Sequence, residues 1–235
     1  MMRINKYIAS CGVTSRRKSE ELILSGKVKI NGSVVKDLSY QVNPEVDNVR
    51  VNNKNISQPN KKKYFILNKP KGYLSTVSDD KGRKVITDII KTKYRIYPVG
   101  RLDYNTEGLI ILTNDGDIAN KIMHPSHSVD KIYVAKIDGS LDKNDIGLLK
   151  KGIELDGVNA FFKDLKIIDC TNSITRVKIT MNQGLNRQIR RMFEHINKNV
   201  ISLKRTAIGE IKLGGMSRMS YRELTDKEIL YLNKI

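Results

Sequence analysis

Apolar positions near the start of the chain fall on two helical faces and then switch to a strand pattern. Ile4, Tyr7, Ile8 and Cys11 recur at the spacing of one helix face, and Gly12 is placed to end that helix. Ser15 is the N-cap candidate for a second helix, whose face is marked by Leu22 and Ile23 and whose end is marked by Gly26. Val28-Lys29-Ile30, Asn31-Gly32 and Ser33-Val34-Val35 together predict a hairpin, because Asn-Gly accepts the positive φ of a two-residue turn. Val49 and Val51 predict a further strand. The stretch 52–63 is polar and Pro59 opposes helix across it, which is the composition of a linker. A domain boundary placed there separates residues 1–60 from residues 61–235.

Beyond the boundary, strand-like runs dominate. Tyr64-Phe65-Ile66-Leu67-Asn68 runs into Lys69-Pro70-Lys71-Gly72, a strand followed by a turn that proline and glycine enforce. Further strand patterns fall at 95–99, 109–113, 132–137, 165–168 and 177–180, and helical patterns at 85–91, 117–123 and 142–150. A further helix opens after Gly184, with Ile189, Met192, Phe193 and Ile196 on its apolar face. Strands outnumber helices and the connections vary in length. That predicts an α+β fold with a mixed, mostly antiparallel sheet, not a regular βαβ series.

Charge narrows the partners. The 235 residues carry a formal net charge of +18, far more than solubility requires, and a polyanion is the economical explanation. Residues 1–63 hold 13 Lys and Arg against 5 Asp and Glu, about twice the charge density of the rest. A membrane surface is the competing anion, but the longest apolar stretches are strand-sized and no apolar run follows a charged start as in a signal peptide. Cys11 and Cys170 stand alone and read as reduced thiols of a cytosolic protein. His124, His127 and His195 lack zinc spacing, and no glycine loop of the P-loop or dinucleotide type is present. The expectation is no cofactor and no metal.

Three segments carry candidate chemistry. In Gly100-Arg101-Leu102-Asp103-Tyr104-Asn105-Thr106-Glu107-Gly108 an arginine and a carboxylate sit in a turn at the mouth of an apolar strand. Alone, Asp103 reads as an Asx turn or a short helical cap. Tyr133, in Lys131-Ile132-Tyr133-Val134-Ala135-Lys136, alternates away from Ile132 and Val134 and by itself reads as a half-buried strand residue. Arg187, Arg190 and Arg191 cluster near the start of the helix after Gly184, against the macrodipole preference. Within that helix Arg190 has Glu194 as its i,i+4 partner, a pair worth a few tenths of a kcal/mol. In the first unit Arg16, Arg17 and Lys18 also oppose the dipole, at roughly 0.3–1 kcal/mol each. They form either a solvated face or, with the free N–H groups of that helix start, a phosphate site.

Taken whole, GRLDYNTEGLIILTNDG resembles the signature of the RsuA/RluB/RluF family of ribosomal RNA pseudouridine synthases. Asn-Lys-Pro-x-Gly at 68–72 is similar to that family's first, structural motif, Lys-x-Tyr to its tyrosine motif, and NQGLNRQIRRM to its third. Leu203-Lys204-Arg205 resembles a segment that packs beside the active site. Residues 2–60 resemble the small alpha-L RNA-binding fold first named for a ribosomal protein. The resemblance implies uridine isomerisation in ribosomal RNA, with Asp103 catalytic, Tyr133 stacking beside the target base and Arg190 pairing with Asp103. It places Arg16, Arg17, Lys18, Arg101, Arg187 and Arg191 on RNA, Arg101 filling the vacated stack or holding phosphate. GRLDYNTEG leans toward RluB-like members and NQGLNRQIRRM toward RluF-like ones, both acting on 23S RNA. A monomer working in the cytoplasm without cofactor follows. The alternatives are a small-subunit enzyme and a non-catalytic ribosome-assembly factor, and the presence of all three catalytic candidates argues against the latter.

Overall fold

A computed structural model describes residues 1–235. The chain divides into two compact units, one comprising Met1–Lys63 with Thr92–Arg95 and Asn114–Gly116, the other Tyr64–Lys91, Ile96–Thr113 and Asp117–Ile235. No helix is long and apolar enough to cross a membrane.

The first unit begins with β1 (Met2–Arg3), α1 (Ile4–Ser10) and α2 (Arg16–Leu24). Ile4, Tyr7 and Ile8 are buried as their spacing requires, and Cys11 is the C-cap ahead of Gly12 at φ +78°. Ser15 caps α2, its hydroxyl accepting from the Lys18 amide at 3.3 Å. Then follow β2 (Val28–Ile30), β3 (Ser33–Val34), β4 (Gln41–Val42), β5 (Val49–Val51) and β6 (Lys54–Asn55). Asn31 and Gly32 both adopt positive φ, the requirement of the β2–β3 hairpin turn. The small sheet runs β3-β2-β5-β6, and β1 pairs separately with β4. The start of the polar stretch expected as linker is therefore a hairpin arm. Asn52 and Asn53 take left-handed backbone at φ 50° and 62°, which asparagine tolerates, and fold β6 back onto β5.

The second unit is a nine-stranded sheet with helices, an α+β fold with mixed, mostly antiparallel pairing. Its elements are β7 (Tyr64–Lys69), β8 (Tyr97–Val99), β9 (Glu107–Thr113), α3 (Gly116–Met123), β10 (Lys131–Asp138), α4 (Lys143–Lys151), β11 (Ile153–Leu155), β12 (Val158–Ala160), β13 (Asp164–Thr171), β14 (Ile174–Met181), α5 (Gln188–His195), β15 (Val200–Ile208), β16 (Ile211–Lys212), β17 (Tyr221–Glu223) and α6 (Asp226–Lys234). The order is β13-β14-β10-β15-β9-β7-β17, with β16 on β15 and β8 on β9, while β11 and β12 pair apart from the sheet.

One pairing is parallel, β15 with β9, where Lys204 faces Glu107 and Arg205 faces Gly108. Only glycine serves at 108. Its φ is +107°, and a Cβ there would collide with the Arg205 backbone. This junction joins two cores. Ala135, Ile137, Val177, Ile179 and Leu203 pack with α4 and α5, and Tyr64, Ile66, Leu109 and Ile111 pack with α3 and α6.

Three local expectations need correction. The helix expected at 85–91 is a 3₁₀ turn, Ile86–Ile89, flanked by extended Val85 and Ile90. Val85, Ile86, Thr87, Ile89 and Ile90 are β-branched and resist helical rotamers. Asp156-Gly157 turns the β11–β12 hairpin, both residues at positive φ, though no strand was expected on either side. The third is α6, whose capping box joins Thr225 to Glu228 and whose sequence signal, Thr-x-x-Glu, went unread.

Candidate active site

The loop between β8 and β9 is held from beneath by a buried amine. Lys69, at the end of β7, is fully buried. Its Nζ donates to the backbone carbonyls of Thr106 (2.9 Å), Asp103 (3.0 Å) and Pro70 (3.1 Å), and lies 3.4 Å from that of Tyr104. Burial pulls its pKa down to about 8, while Asp103 and Glu107 favour its charge and Arg205 opposes it. Ser75 holds the same loop from the side, its hydroxyl donating to the Leu102 carbonyl (2.8 Å) and accepting from the Leu102 amide (3.1 Å). Thr106 N–H closes the turn onto the Asp103 carbonyl at 3.0 Å. The turn is thus held through its backbone groups, by the Lys69 amine, the Ser75 hydroxyl and the Thr106 N–H. The half-buried Asp103 carboxylate makes no hydrogen bond within the protein, so the Asx-turn reading does not apply.

That carboxylate lines a cavity of about 90 Å³ together with Arg101, Thr106, Tyr133, Arg187 and Arg190, with Met181, Leu185, Ile189 and Leu203 as apolar wall. Tyr133 reaches it from β10, where it stands opposite Ile179 and Arg205. The opposite wall is the loop before α5. Gln188, buried, accepts from the Leu185 amide (3.2 Å) and donates to Gln183 (2.8 Å), whose own amide group donates to the Asn159 carbonyl (2.9 Å). Arg187 is the N-cap of α5 in a left-handed conformation, φ 48°, a strained backbone for a non-glycine residue. Thr106 Oγ1 and Arg190 Nε, on two of the lining residues, are buried without a hydrogen-bond partner. Such groups are rare in folded proteins.

The structure thus gathers Asp103, Tyr133, Arg190, Arg101 and Arg187 into one cavity, but not with the pairing expected. Arg190 forms no direct ion pair with Asp103. Its guanidinium donates to the Val200 carbonyl at 2.8 Å, tied to the start of β15, and the carboxylate acts on it only at longer range. Burial and neighbouring Arg187 disfavour the Arg190 charge, and Asp103 and Glu194 favour it. The Arg190–Glu194 contact is not made either; Glu194 has Arg187 at 4.0 Å. Arg191 does not line the cavity, because Asp156 engages it in a two-pronged pair at 2.7 and 2.8 Å. Arg16, Arg17 and Lys18 are exposed on the first turn of α2.

This geometry sets an expectation for stability. Arg190→Ala removes one hydrogen bond to a backbone carbonyl and should cost about 1–3 kcal/mol, short of the 3–5 kcal/mol of a broken buried pair. Combined with Asp103→Asn, the two effects should add within about 0.5 kcal/mol in urea denaturation. A coupling above 1 kcal/mol would instead reveal a direct Asp103–Arg190 pair.

Sequence reasoning missed Lys69, Ser75, Thr106 and Gln188 as parts of the site. Lys69, Thr106 and Gln188 each lie within a quoted motif, Asn-Lys-Pro-x-Gly, GRLDYNTEG and NQGLNRQIRRM, but a motif does not say which groups their side chains would meet, and Ser75 had no signal.

Comparison with known proteins agrees with this architecture. A family model for RNA pseudouridylate synthase matches residues 63–195, and one for the S4 domain matches residues 2–48. The chain belongs to the RNA pseudouridylate synthase family and carries an S4 RNA-binding domain at its N-terminal end. It is 46% identical to ribosomal large subunit pseudouridine synthase B of Bacillus subtilis over 238 residues, covering 100% of this chain and 97% of that one. It is 45% identical to an uncharacterized RNA pseudouridine synthase of Aquifex aeolicus over 235 residues, covering 99% of this chain and 94% of that protein. It is also 37% identical to the dual-specificity RNA pseudouridine synthase RluF of Escherichia coli over 237 residues, covering 100% of this chain and 79% of the relative. A crystal structure of pseudouridylate synthase superposes with a TM-score of 0.69 at 30% identity, covering 99% of this chain and 100% of that one.

Proposed function

We propose that this enzyme converts one uridine of 23S ribosomal RNA to pseudouridine, with Asp103 as the catalytic carboxylate. The observation that carries the reading is the Asp103 side chain itself: no protein donor occupies it, and it faces the same cavity as Tyr133 and Arg190. The reaction breaks the C1′–N1 bond, turns the detached base and forms C1′–C5. The C5 proton leaves and N1 ends protonated, so atoms balance without redox or metal chemistry. The carboxylate supplies a nucleophile or a countercharge while the bond is broken. Tyr133 offers its ring to the base, and Arg190 holds positive charge across the cavity. A uridine inside a stacked helix is out of reach, so it must be flipped out at a cost of a few kcal/mol. Arg101, exposed beside Asp103, fills the vacated stack or holds the phosphate, and Arg187 meets RNA at the cavity rim.

Residues 1–60 form the RNA-binding module in this reading and residues 61–235 the catalytic one. The large-subunit assignment is supported by the Bacillus subtilis relative at 46% identity. The enzyme acts as a monomer in the cytoplasm and needs no cofactor. Mapping pseudouridines in ribosomal RNA from a deletion strain tests it. Loss of one 23S site is expected; loss from 16S RNA would move the substrate to the small subunit, and no loss would leave an assembly factor.

The role of the α2 cations has its own test. Replacing Arg16, Arg17 and Lys18 together by Ala should lower the log–log salt slope of RNA binding by about 2, three phosphate contacts on the single-strand scale. An unchanged slope would mean that these side chains only decorate a solvated face.

A further inference from the structure

Tyr104 follows Asp103 directly, yet its ring is absent from the cavity lining. Its neighbours Leu102 and Thr106 are buried, whereas Tyr104 is 47% exposed. The exposure does not come from a loose loop. The Tyr104 carbonyl accepts from the Gly72 amide at 3.0 Å, and the Lys69 amine lies 3.4 Å away. The Tyr104 hydroxyl lies beside Gly72, 3.9 Å from where a Cβ on that glycine would stand. Arg83 is near enough for its guanidinium and the phenol to interact electrostatically, and Arg83 is itself anchored by Asp79 through two hydrogen bonds of 2.6 and 3.1 Å. Lys71, Lys84 and Arg101, flanking these segments in the chain, are exposed cations.

An aromatic ring carried on a pinned backbone, half-exposed to solvent and with exposed cations on the neighbouring segments, is the combination that binds single-stranded nucleic acid: cations meet the backbone and the ring takes a base. Flipping one uridine out of a strand also strips its neighbour of a stacking partner. We propose that Tyr104 is a second base subsite, stacking on the nucleobase adjacent to the flipped uridine. It rests on the reading of Asp103 as the carboxylate that meets the target, because it places the stacked base one nucleotide from that residue. Such a contact is read by the face of the ring and not by its hydroxyl, so Phe and Trp should substitute and Leu should not.

The chain contains no tryptophan, so Tyr104→Trp places a single tryptophan, excitable apart from the tyrosines, at the proposed subsite. Titration of that variant with a short oligouridine should quench its emission on saturation, while heparin, a polyanion without bases, should bind and leave it unquenched. With 23S RNA transcripts, Tyr104→Ala and Tyr104→Leu should raise KM about tenfold with little change in kcat, as expected for loss of one stacked base. Tyr104→Phe should restore KM to within about twofold. Equal quenching by heparin, no quenching by oligouridine, or Leu performing as well as Phe would each overturn the subsite. The fluorescence arm needs no turnover. A wild-type protein that makes no pseudouridine would therefore sink the functional proposal while quenching still decided the stacking.

Discussion

Asp103→Asn protein is expected to fold, to bind RNA as the wild type does, and to form no detectable pseudouridine. The exchange preserves side-chain size and removes the negative charge. Because the carboxylate makes no hydrogen bond within the protein, only its longer-range attraction to Lys69 and Arg190 is lost, and stability should stay within about 1 kcal/mol of wild type. Turnover should fall at least about 10³-fold, the scale of losing a nucleophile or its equivalent. Release of tritium from C5-labelled ribosomal RNA measures it, with filter binding as the parallel check on affinity. Turnover within tenfold of wild type would remove Asp103 from the chemistry. The loop is pinned through its backbone, so a lost activity could not be blamed on a displaced loop unless the melting temperature also moved.

The second large effect concerns Lys69, where fold and chemistry meet. Lys69→Met keeps a buried chain of similar length but removes the only side-chain donor to the carbonyls of Pro70, Asp103 and Thr106. The Asp103 carbonyl keeps the Thr106 N–H, but those of Pro70 and Thr106 are left without a donor, at about 1–3 kcal/mol each, so a loss on the order of 2–6 kcal/mol is expected. For a unit of this size that lowers the melting temperature by roughly 10 °C. Activity should fall with it even at temperatures where the variant stays folded, because the Asp103 loop is no longer tied down.

The wild-type protein carries a second signature of the same clamp. In the folded chain Lys69 gives up its proton near pH 8, whereas in the unfolded chain it keeps it to the usual lysine range near 10.5. Between those values the unfolded state binds more protons, so this group's contribution to stability rises with pH. The neutral amine has fewer N–H groups and no charge with which to hold its carbonyls. Turnover should therefore decline above about pH 8 while resistance to denaturant does not fall on this group's account. Lys69→Met should lack that alkaline limb. A wild-type limb retained in Lys69→Met would assign it to another group.

Much of the local structure was legible from spacing and turn chemistry alone. Ile4, Tyr7 and Ile8 face one way along α1 because they are three and four residues apart, and Ser15 caps α2 because its hydroxyl reaches the Lys18 amide. Asn31-Gly32 turns a hairpin because both positions need positive φ. The mostly antiparallel sheet followed from the count and length of strand patterns, and the large positive charge pointed to a polyanion before any motif was considered. These features depend on neighbours within a few residues, where backbone geometry leaves few choices. Asp156-Gly157 and Thr225-x-x-Glu228 are local signals of the same kind, for a hairpin turn and a helix start, and five β-branched residues at 85–90 override a helical spacing.

What joins distant segments was decided only by the tertiary structure. Nothing near Lys69 in the sequence indicates that its amine would meet carbonyls more than thirty residues ahead. Nothing near Gly108 shows that β15 would run parallel against it, close enough that no side chain fits. Arg190 was found by its place in a motif, but its partner was not, since the motif cannot show that the Val200 carbonyl lies nearer than Asp103. A residue's type and its sequence neighbours determine its intrinsic geometry and charge. Which long-range group satisfies it depends on how strands far apart in the chain are brought into register, and that is settled by packing the whole sheet at once.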